Sequence, residues 1–346
     1  MELLTLDSNF QPVAYLQFIN LQWNREYYQA GDFSVQIPAG QYLSNMKYLY
    51  TPDRPETGII QKVELSETIK GRFIQMSGFF LESILNDKIV YPTYYASGPL
   101  GTAVADMVNQ YKGDIPLLQV SSPTFPGSSV SWQETGGQLG EIAYTQLQTQ
   151  QMSYRCEYSY ENNFISFSVW KGLDRTQDQS VNNFVTFSNG FKNLSNLKAS
   201  LDESNFRNYA IIAGQDEGEN RKIAYADNSN GGYKKILFVD ARNERWDSEK
   251  QTEEEYLEGL QQKGFEKLLD YQNERNIEMN VTNDTFRYLI DFDLGDLVDV
   301  ILDELGLKIQ ARIVSVKEVF KQNTQTVTLE LGDKMITALK KARLIY

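Results

Sequence analysis

The chain of 346 residues is longer than the size at which one hydrophobic core usually stops growing, so two or more domains are expected. Its 46 acidic and 33 basic residues give a formal net charge of -13, which disfavours a protein that binds nucleic acid or an anionic membrane surface. With no histidine and only Cys156 as a cysteine, the chain excludes Ser/His and Cys/His catalytic pairs, histidine-based zinc sites and an intramolecular disulfide.

The N-terminus reads Met1-Glu-Leu-Leu-Thr-Leu-Asp7 and has neither a basic region nor a long apolar stretch, so no signal peptide is expected. No window of the sequence approaches the apolar length of a membrane span. We therefore expect a protein that is made in the cytoplasm and does not insert into a membrane.

Strand patterns dominate the first part of the chain. Apolar and polar residues alternate at residues 34–38, 58–65 and 72–79, and turn residues separate these segments. The four or five strands predicted here are enough for one β-barrel or sandwich, which we assign to residues 1–85.

Helical patterns follow. A short helix is predicted at residues 80–85, and longer helices at residues 99–112, after a proline, and at residues 138–151, after two glycines. Residues 121–129 between the longer helices are rich in serine and proline, which predicts a loop.

Strands 153–160 and 164–171 flank an Asn-Asn turn and predict a hairpin. Together with the two helices, this hairpin predicts a small α+β domain, residues 86–172, inserted into the first barrel. Two later segments could supply strands that return to the first barrel within residues 173–215: residues 183–188 and 209–214.

The remainder predicts a second barrel, formed by residues 216–240 and 277–333. Its first part is a hairpin around the polar turn at residues 227–232. Its last part is the clearest strand pattern of the chain, a meander with three segments: residues 286–301, 308–319 and 326–333.

A helix separates the two parts of the second barrel. It starts near Ser248, carries acidic residues in its first turn and has an apolar face, so residues 241–276 are predicted as a helical insertion. Residues 334–346 form a basic tail with Lys334, Lys340, Lys341 and Arg343. The predicted fold class is thus mainly β, with two barrels, an inserted α+β domain and a small helical insertion.

We assign no catalytic, cofactor-binding or metal-binding residues. The acidic run from Asp291 to Asp299 lacks the spacing of an EF-hand, because Gly295 stands at loop position 5 and Leu302 at position 12, so its acids are interpreted as solvated turn residues. The loop at residues 227–232 fails the same test, and a hairpin turn is the better interpretation.

The other candidate residues favour structural roles. Residues 136–140 and 214–218 lack a phosphate-loop pattern and are interpreted as a helix start and a turn after a strand. Cys156 has no partner for a thiolate pair and is predicted to be a packed side chain. The tryptophans could form sugar platforms but are more typical of core or interface anchors: Trp23, Trp132, Trp170 and Trp246.

One stretch suggests a family. The sequence Leu21-Gln-Trp-Asn-Arg-Glu-Tyr-Tyr-Gln-Ala-Gly-Asp-Phe-Ser-Val-Gln-Ile-Pro38 resembles the opening of siphophage and prophage tail proteins of the baseplate (tail-tip) hub class. Further points of similarity follow in the same order along the chain: residues 58–63, 74–85, 171–176, 212–222 and 294–298.

The resemblance implies a homotrimeric hub whose six barrels surround the path of DNA, with a fold similar to contractile-tail hubs and the N-terminal part of type VI secretion spikes. It also implies a place in the virion tail, and roles in host attachment and DNA ejection. The implied partners are other copies of the chain, the distal tail ring, the end of the tape measure, and fibre or spike proteins. Sequence-specific nucleic-acid binding, catalysis and a cofactor are not implied.

Two other functions stay open from the residues alone. One is a carbohydrate-binding or receptor-binding β protein of the same virion that uses Trp and Tyr platforms. The other is a glycosidase with two catalytic carboxylates, which needs no histidine.

Overall fold

The structure is a computed structural model, and it describes residues 1–272, 274–281, 285–321 and 324–332. Strands form most of its regular structure, and three α-helices lie within the described residues. The prediction of a mainly β fold is therefore confirmed.

The first 79 residues form strands joined by short turns, and their alternating apolar residues explain why. In Asn20–Glu26 every second side chain is buried, and Asp32–Pro38 follows the same rule. The strands are Leu3–Leu6 (β1), Pro12–Leu16 (β2), Asn20–Glu26 (β3), Asp32–Pro38 (β4), Tyr48–Tyr50 (β5), Gly58–Ile59 (β6), Lys62–Thr68 (β7) and Gly71–Phe79 (β8).

These strands belong to two sheets that share one hydrophobic core, which we call the first core. One sheet has the order β2-β1-β5-β6, and the other contains β3-β4-β8-β7. Leu3 and Leu49 from the first sheet pack with Trp23, Val35 and Met76 from the second.

The next segment folds as an α+β unit with its own core. Its elements are Tyr94–Pro99 (β9), Leu100–Tyr111 (α1), Leu118–Val120 (β10), Ser129–Glu134 (β11), Leu139–Gln148 (α2), Ser153–Ser159 (β12) and Phe164–Trp170 (β13), after a 3-10 turn at Leu81–Asp87.

Both helices and the β12–β13 hairpin of this unit are confirmed. The sequence did not predict β11, which follows the predicted loop at residues 121–129. This strand pairs antiparallel with β9. Apolar side chains of α1, α2 and the hairpin form the inserted core, which also takes in Leu4, Leu6 and Phe10 from the N-terminus.

The later strands form a second β region and a separate three-stranded sheet with a helix. In chain order these elements are Thr186–Ser188 (β14), Leu194–Asp202 (β15), Tyr209–Ala213 (β16), Ile223–Asp227 (β17), Ile236–Asp240 (β18), Glu253–Leu269 (α3), Glu274–Val281 (β19), Leu297–Leu302 (β20), Leu307–Lys321 (β21) and Thr324–Leu331 (β22).

The strands β14, β15, β19, β20, β21 and β22 surround a second core, which contains Phe187, Ile277, Val300, Val316 and Leu329. Strand β21 is long enough to pair with β22 on one side and with both β20 and β3 on the other. The pairing of β21 with β3 joins the two β regions into one ten-stranded sheet, whose main path ends at β15 and at β7.

Several strand assignments from the sequence are wrong. Strand β14 pairs with β20 of the second core, and β16 pairs with β17 and β18, so neither returns to the first β region. The expected hairpin of residues 221–226 and 233–240 is also wrong, because β16 lies between β17 and β18. Residues 286–296 of the first meander segment form turns rather than a strand.

The helix α3 is present as predicted, but it begins at Glu253 rather than near Ser248. Thr252 and Glu255 form a reciprocal capping box, in which each side chain accepts a hydrogen bond from the other residue's backbone N–H. Tyr256, Leu260 and Leu268 of α3 cover Ala210 and Ile212 of β16, forming a helix–sheet core. Gly264 permits this close approach, because a Cβ there would lie 2.4 Å from Ile212 Cδ1.

Candidate interaction surfaces and buried charges

The acidic run from Asp291 to Asp299 is only partly solvated, whereas solvated acids were expected throughout. Asp296 and Asp299 are 3% and 0% exposed. The carboxylate of Asp296 accepts hydrogen bonds from Leu173 N at 2.8 Å and from Arg175 Nε at 2.6 Å, while Asp299 accepts one from Gln177 N at 2.9 Å. The expectation fails because residues 173–177 pack over this turn and supply donors that replace water.

Burial raises the pKa of Asp296, although Arg175 and two backbone N–H groups act in the opposite direction. Within the described residues, no group of acidic or cysteine side chains has an arrangement that could hold a metal ion. Asp296 and Asp299 therefore have a structural role: they bind residues 173–177 of the same chain.

A second set of buried charges lies where β3 meets the C-terminal strands, and we call it the Arg25 junction. Arg25 is 3% exposed; its Nε lies 2.6 Å from Glu56 Oε1, and its Nη1 lies 2.6 Å from Asp293 Oδ1. Nη1 also donates to the hydroxyl of Tyr288. Burial lowers the pKa of Arg25, but Glu56, Tyr288 and Asp293 raise it more, so the guanidinium stays charged.

The ring of Tyr288 connects this group to a second ion pair. The guanidinium carbon of Arg54 lies 5.8 Å from the ring centroid of Tyr288. Arg54 Nε donates to Glu318 Oε2 at 2.7 Å, and Glu318 is fully buried in β21. The junction thus ties residues 54–56, β3, β21 and the turn at residues 288–293 together.

Neither Arg25 nor Glu318 was singled out from the sequence, although a signal exists. In β3 the inward positions are Leu21, Trp23 and Arg25, and in β21 Glu318 falls between the inward Val316 and Phe320. A charge at an inward strand position predicts a buried partner of opposite sign.

Cys156 is a fully buried side chain on β12, as predicted, and burial raises the pKa of its thiol well above the usual value. Its backbone N–H donates to Glu82 Oε1 at 3.3 Å. Glu82 is itself buried, and its other oxygen, Oε2, has no hydrogen-bond partner in the described part of the chain. Burial, with a smaller contribution from Glu56, raises the pKa of Glu82 to about 8.

The four tryptophans lie in packed positions. Trp23 is fully buried in the first core, and Trp132 is 4% exposed. Trp170 packs edge-on against Tyr27, and the guanidinium of Arg155 lies 5.0 Å from its ring centroid. Trp246 donates to Gln251 O at 3.1 Å and stacks on Tyr256. Their predicted role as anchors is confirmed for Trp23 and Trp132.

The glycine-rich segments have the roles that the sequence predicts, apart from the expected hairpin turn. Residues 136–140 lead into α2, and residues 214–218 form the turn after β16. In the loop after β17, Asp227 accepts from Ser229 N at 2.8 Å and pairs with Lys234 at 2.8 Å. The basic residues predicted for the C-terminal tail lie outside the described residues.

Two surfaces expose apolar side chains in an unusual way. The first is the β7–β8 hairpin: all seven residues of β7 are exposed, including Leu65 at 68%, and Ile69 at its tip is fully exposed. A strand that is exposed on both faces gains almost no hydrophobic stabilisation within its own chain.

The second surface is the outer face of the β17-β16-β18 sheet. Tyr225, Ile211 and Phe238 lie side by side across the three strands. Tyr225 is 53% exposed and Phe238 61% exposed, and Ile223 and Ile236 continue the apolar area along the outer strands. An exposed apolar patch of this kind is typical of protein contacts.

The described helices include none with the length and apolar character that a membrane span requires.

The fold defined by these cores and surfaces is that of phage tail proteins. It is similar to a tail protein from Neisseria meningitidis MC58 (TM-score 0.59, 15% identity, 95% of both chains covered). It is also similar to the 43 kDa tail protein of prophage MuSo2 from Shewanella oneidensis (TM-score 0.61, 14% identity, 96% of this chain and 98% of that chain). A third similar structure is prophage tail protein gp18 from Listeria monocytogenes EGD-e (TM-score 0.60, 12% identity, 100% of this chain and 99% of that chain).

The family model described as Siphovirus ReqiPepy6 Gp37-like protein matches residues 1–333, and the chain belongs to this family. No curated protein gives a significant match to the chain. The resemblance to siphophage and prophage tail proteins that the sequence suggests is therefore confirmed.

Proposed function

We propose that the chain is a structural hub at the tip of the phage tail, where three copies form a ring around the path of the DNA. In this proposal the ring joins the tail tube to fibre or spike proteins and carries no catalytic activity. The observation that supports it best is the membership of a siphovirus family together with a tail-protein fold that extends over nearly the whole chain.

The two β regions support a ring of this kind. Residues 1–80 surround the first core, and the described residues of 173–202, 274–281, 285–321 and 324–332 surround the second core. We propose these as the two barrel domains, with residues 81–172 and 205–272 as insertions. Three copies of such a chain would place six similar units around one axis, which would match a sixfold tail to a threefold tip.

The ends of the ten-stranded sheet suggest how the copies meet. Strand β7 ends the sheet on one side and β15 ends it on the other, and within the described residues each pairs with one strand only. Free strand edges offer unpaired N–H and C=O groups to another strand. We propose that β7 of one copy pairs with β15 of the next, because a contact between two different surfaces can close a ring.

The burial of the hairpin residues supports the same contact. Val63 and Leu65 of β7 are 40% and 68% exposed, so the isolated chain orders this hairpin without burying its apolar side chains. A neighbouring copy would bury them. The acidic balance of the chain fits a conduit that lets DNA pass without binding it.

Electron microscopy of the purified chain tests the proposal. We expect class averages with threefold symmetry and a central channel. Class averages that contain only single copies, or rings with another symmetry, would contradict the proposed hub.

A further inference from the structure

A polar cleft of about 650 Å³ lies between the two insertions. One wall is the β9–β11 pair, where Tyr95 lies opposite Gln133. The other wall is the loop at residues 243–249, which leads into α3. This volume is within the range of small-molecule sites, which are usually about 300–1,000 Å³.

Side chains from both walls hold the cleft in shape. Gln133 Nε2 donates across the cleft to Glu244 Oε2 at 3.3 Å, and Lys263 of α3 lies 3.4 Å from Glu244 Oε1. The ammonium of Lys250 lies 5.6 Å from the ring centroid of Tyr95. The hydroxyl group of Thr135 donates a hydrogen bond to the hydroxyl group of Thr93 at 2.8 Å. This bond stabilises the edge of the cleft next to β9 and β11.

Below the cleft lies a small cavity of about 20 Å³ that shares Gln133 and Glu244 with it. Such a volume holds one water-sized group. Trp132 and Gln251 line this cavity, and their N–H groups (Nε1 and Nε2) are buried without a hydrogen-bond partner in the described part of the chain. Trp132 is 4% exposed, so bulk water does not satisfy its indole N–H.

The small cavity is also lined by hydrogen-bond acceptors. Glu244 and Glu266 both line it, and Lys263 lies between these two carboxylates, 3.4 Å from the first and 3.8 Å from the second. A group suited to this cavity accepts hydrogen bonds from Trp132 and Gln251 and can also donate one to a carboxylate. A hydroxyl group does both.

We propose that the cleft binds a neutral sugar, with one hydroxyl group of the sugar in the small cavity. Amide, hydroxyl and carboxylate side chains of the walls would bind further hydroxyl groups, and Tyr95 offers an aromatic surface to the sugar ring. The proposal goes beyond the hub function and does not depend on the ring, because every residue named here belongs to one copy.

Charged ligands fit the cleft less well. Glu134, Glu244 and Glu266 would repel an inorganic or organic phosphate. The indole N–H of Trp132 and the ammonium of Lys263 would oppose a cationic group in the small cavity. A neutral, hydroxyl-rich molecule avoids both conflicts.

Saturation-transfer NMR on the purified full chain tests the proposal with a defined set of probes. These are glucose, galactose, rhamnose, N-acetylglucosamine and N-acetylgalactosamine, with inorganic phosphate and spermidine as charged competitors. We expect at least one sugar to bind, and neither competitor to displace it at equal concentration.

Two variants in the cleft, each with a control variant elsewhere, test whether the sugar binds there. Trp132→Phe removes the indole N–H and is expected to weaken sugar binding about tenfold, the effect of one hydrogen bond left unmade. Trp170→Phe is the matched control, because Trp170 Nε1 is also buried without a partner but lies outside the cleft. Tyr95→Ala is expected to weaken binding as well, while Tyr225→Ala on the outer face of β17 is not.

Circular dichroism shows whether each variant is folded, and Tyr95→Ala keeps the test decisive if Trp132→Phe does not fold. Absence of binding by all five sugars would overturn the proposal, as would equal binding by the cleft variants and their controls. Displacement of the sugar by phosphate or spermidine would also overturn it. None of these results depends on whether the chain forms a trimer.

Discussion

The Arg25 junction and the outer face of the β17-β16-β18 sheet reverse the usual distribution of side chains. At the junction, Arg25 and Glu318 are almost completely buried, whereas Tyr225 and Phe238 on the sheet are more than half exposed. Buried charges are rare in proteins unless they are paired, and exposed apolar patches are rare unless they bind something.

The comparison separates residues that stabilise the fold of the chain from residues that are expected to contact another protein. The junction joins segments that are far apart in the chain, since Arg25 contacts Asp293 and Arg54 contacts Glu318. Its ion pairs fix how the two β regions meet. Among the residues that the structure describes, the apolar side chains on the outer face of the sheet join no such distant segments, and we expect them to contact a neighbouring protein.

The largest effect is expected at the junction. Arg25→Met leaves Glu56 and Asp293 without their cation, and the loss of one partner of a buried ion pair typically costs about 3–5 kcal/mol. The free energy of unfolding, measured with urea at a fixed protein concentration, checks this. Arg72→Met is the matched control, because the Arg72–Glu67 pair is 67% exposed on both sides. Equal losses in both variants would contradict the special role of the junction.

Glu82 predicts a dependence on pH. Its pKa is raised from 4.5 to about 8 by burial, so between these values the folded state holds a proton that the unfolded state has lost. The free energy of unfolding should therefore fall as the pH rises through this window, by on the order of 1 kcal/mol for each pH unit. Glu82→Gln should flatten this part of the profile and stabilise the protein at pH 8.

Urea unfolding between pH 5 and pH 8 measures this effect. Glu64→Gln serves as the control, since Glu64 is 56% exposed and pairs with Lys62 on the surface. A pH profile that is the same in the wild type and in Glu82→Gln would show that Glu82 is not the responsible group.

Gly172 tests the contact between the α+β insertion and the second β region. A Cβ at this position would lie 1.9 Å from Gly295 O, so Gly172→Ala forces the backbone apart. Overpacking of this kind costs about 1–3 kcal/mol. Gly40→Ala should have little effect, because a Cβ at Gly40 meets no atom within 4 Å. Thermal unfolding of the two variants side by side distinguishes strain from the general effect of removing a glycine.

The smallest effect is expected on the sheet face. Phe238→Ala should change the free energy of unfolding by no more than about 0.5 kcal/mol, as for most surface substitutions. Ile212→Ala, on the buried face of the same sheet, should cost about 2–5 kcal/mol. If Phe238→Ala lowers the free energy of unfolding as much as Ile212→Ala does, the outer face stabilises the fold, and the proposal that it serves to bind a partner is contradicted.

The sequence predicted local structure well and long-range pairing poorly. The helices α1, α2 and α3 and the β12–β13 hairpin depend on periodicity, capping residues and short turns, which are local signals. The partners of β14 and β16 could not be predicted, because strand alternation shows which face is buried but not which strand lies beside it.

The same limit applies to the candidate sites. Trp23, Trp132 and Cys156 were interpreted correctly, because the apolar character of these side chains by itself favours burial. Asp296 and Asp299 were not, since the donors that bury them come from residues 173–177, more than a hundred positions away in the chain. The cleft between the insertions also depends on β11, a strand that was not predicted.

The mass of the purified chain in solution, measured by light scattering, tests the central proposal most directly. We expect about three times 39.7 kDa for the wild type, and 39.7 kDa for the double variant Val63→Lys, Leu65→Lys, in which charges on β7 block pairing with β15 of the next copy. Leu43→Lys, at another exposed leucine, should keep the trimer mass. A wild-type chain of 39.7 kDa at every concentration, or a trimer that survives both lysines in β7, would contradict the proposed ring.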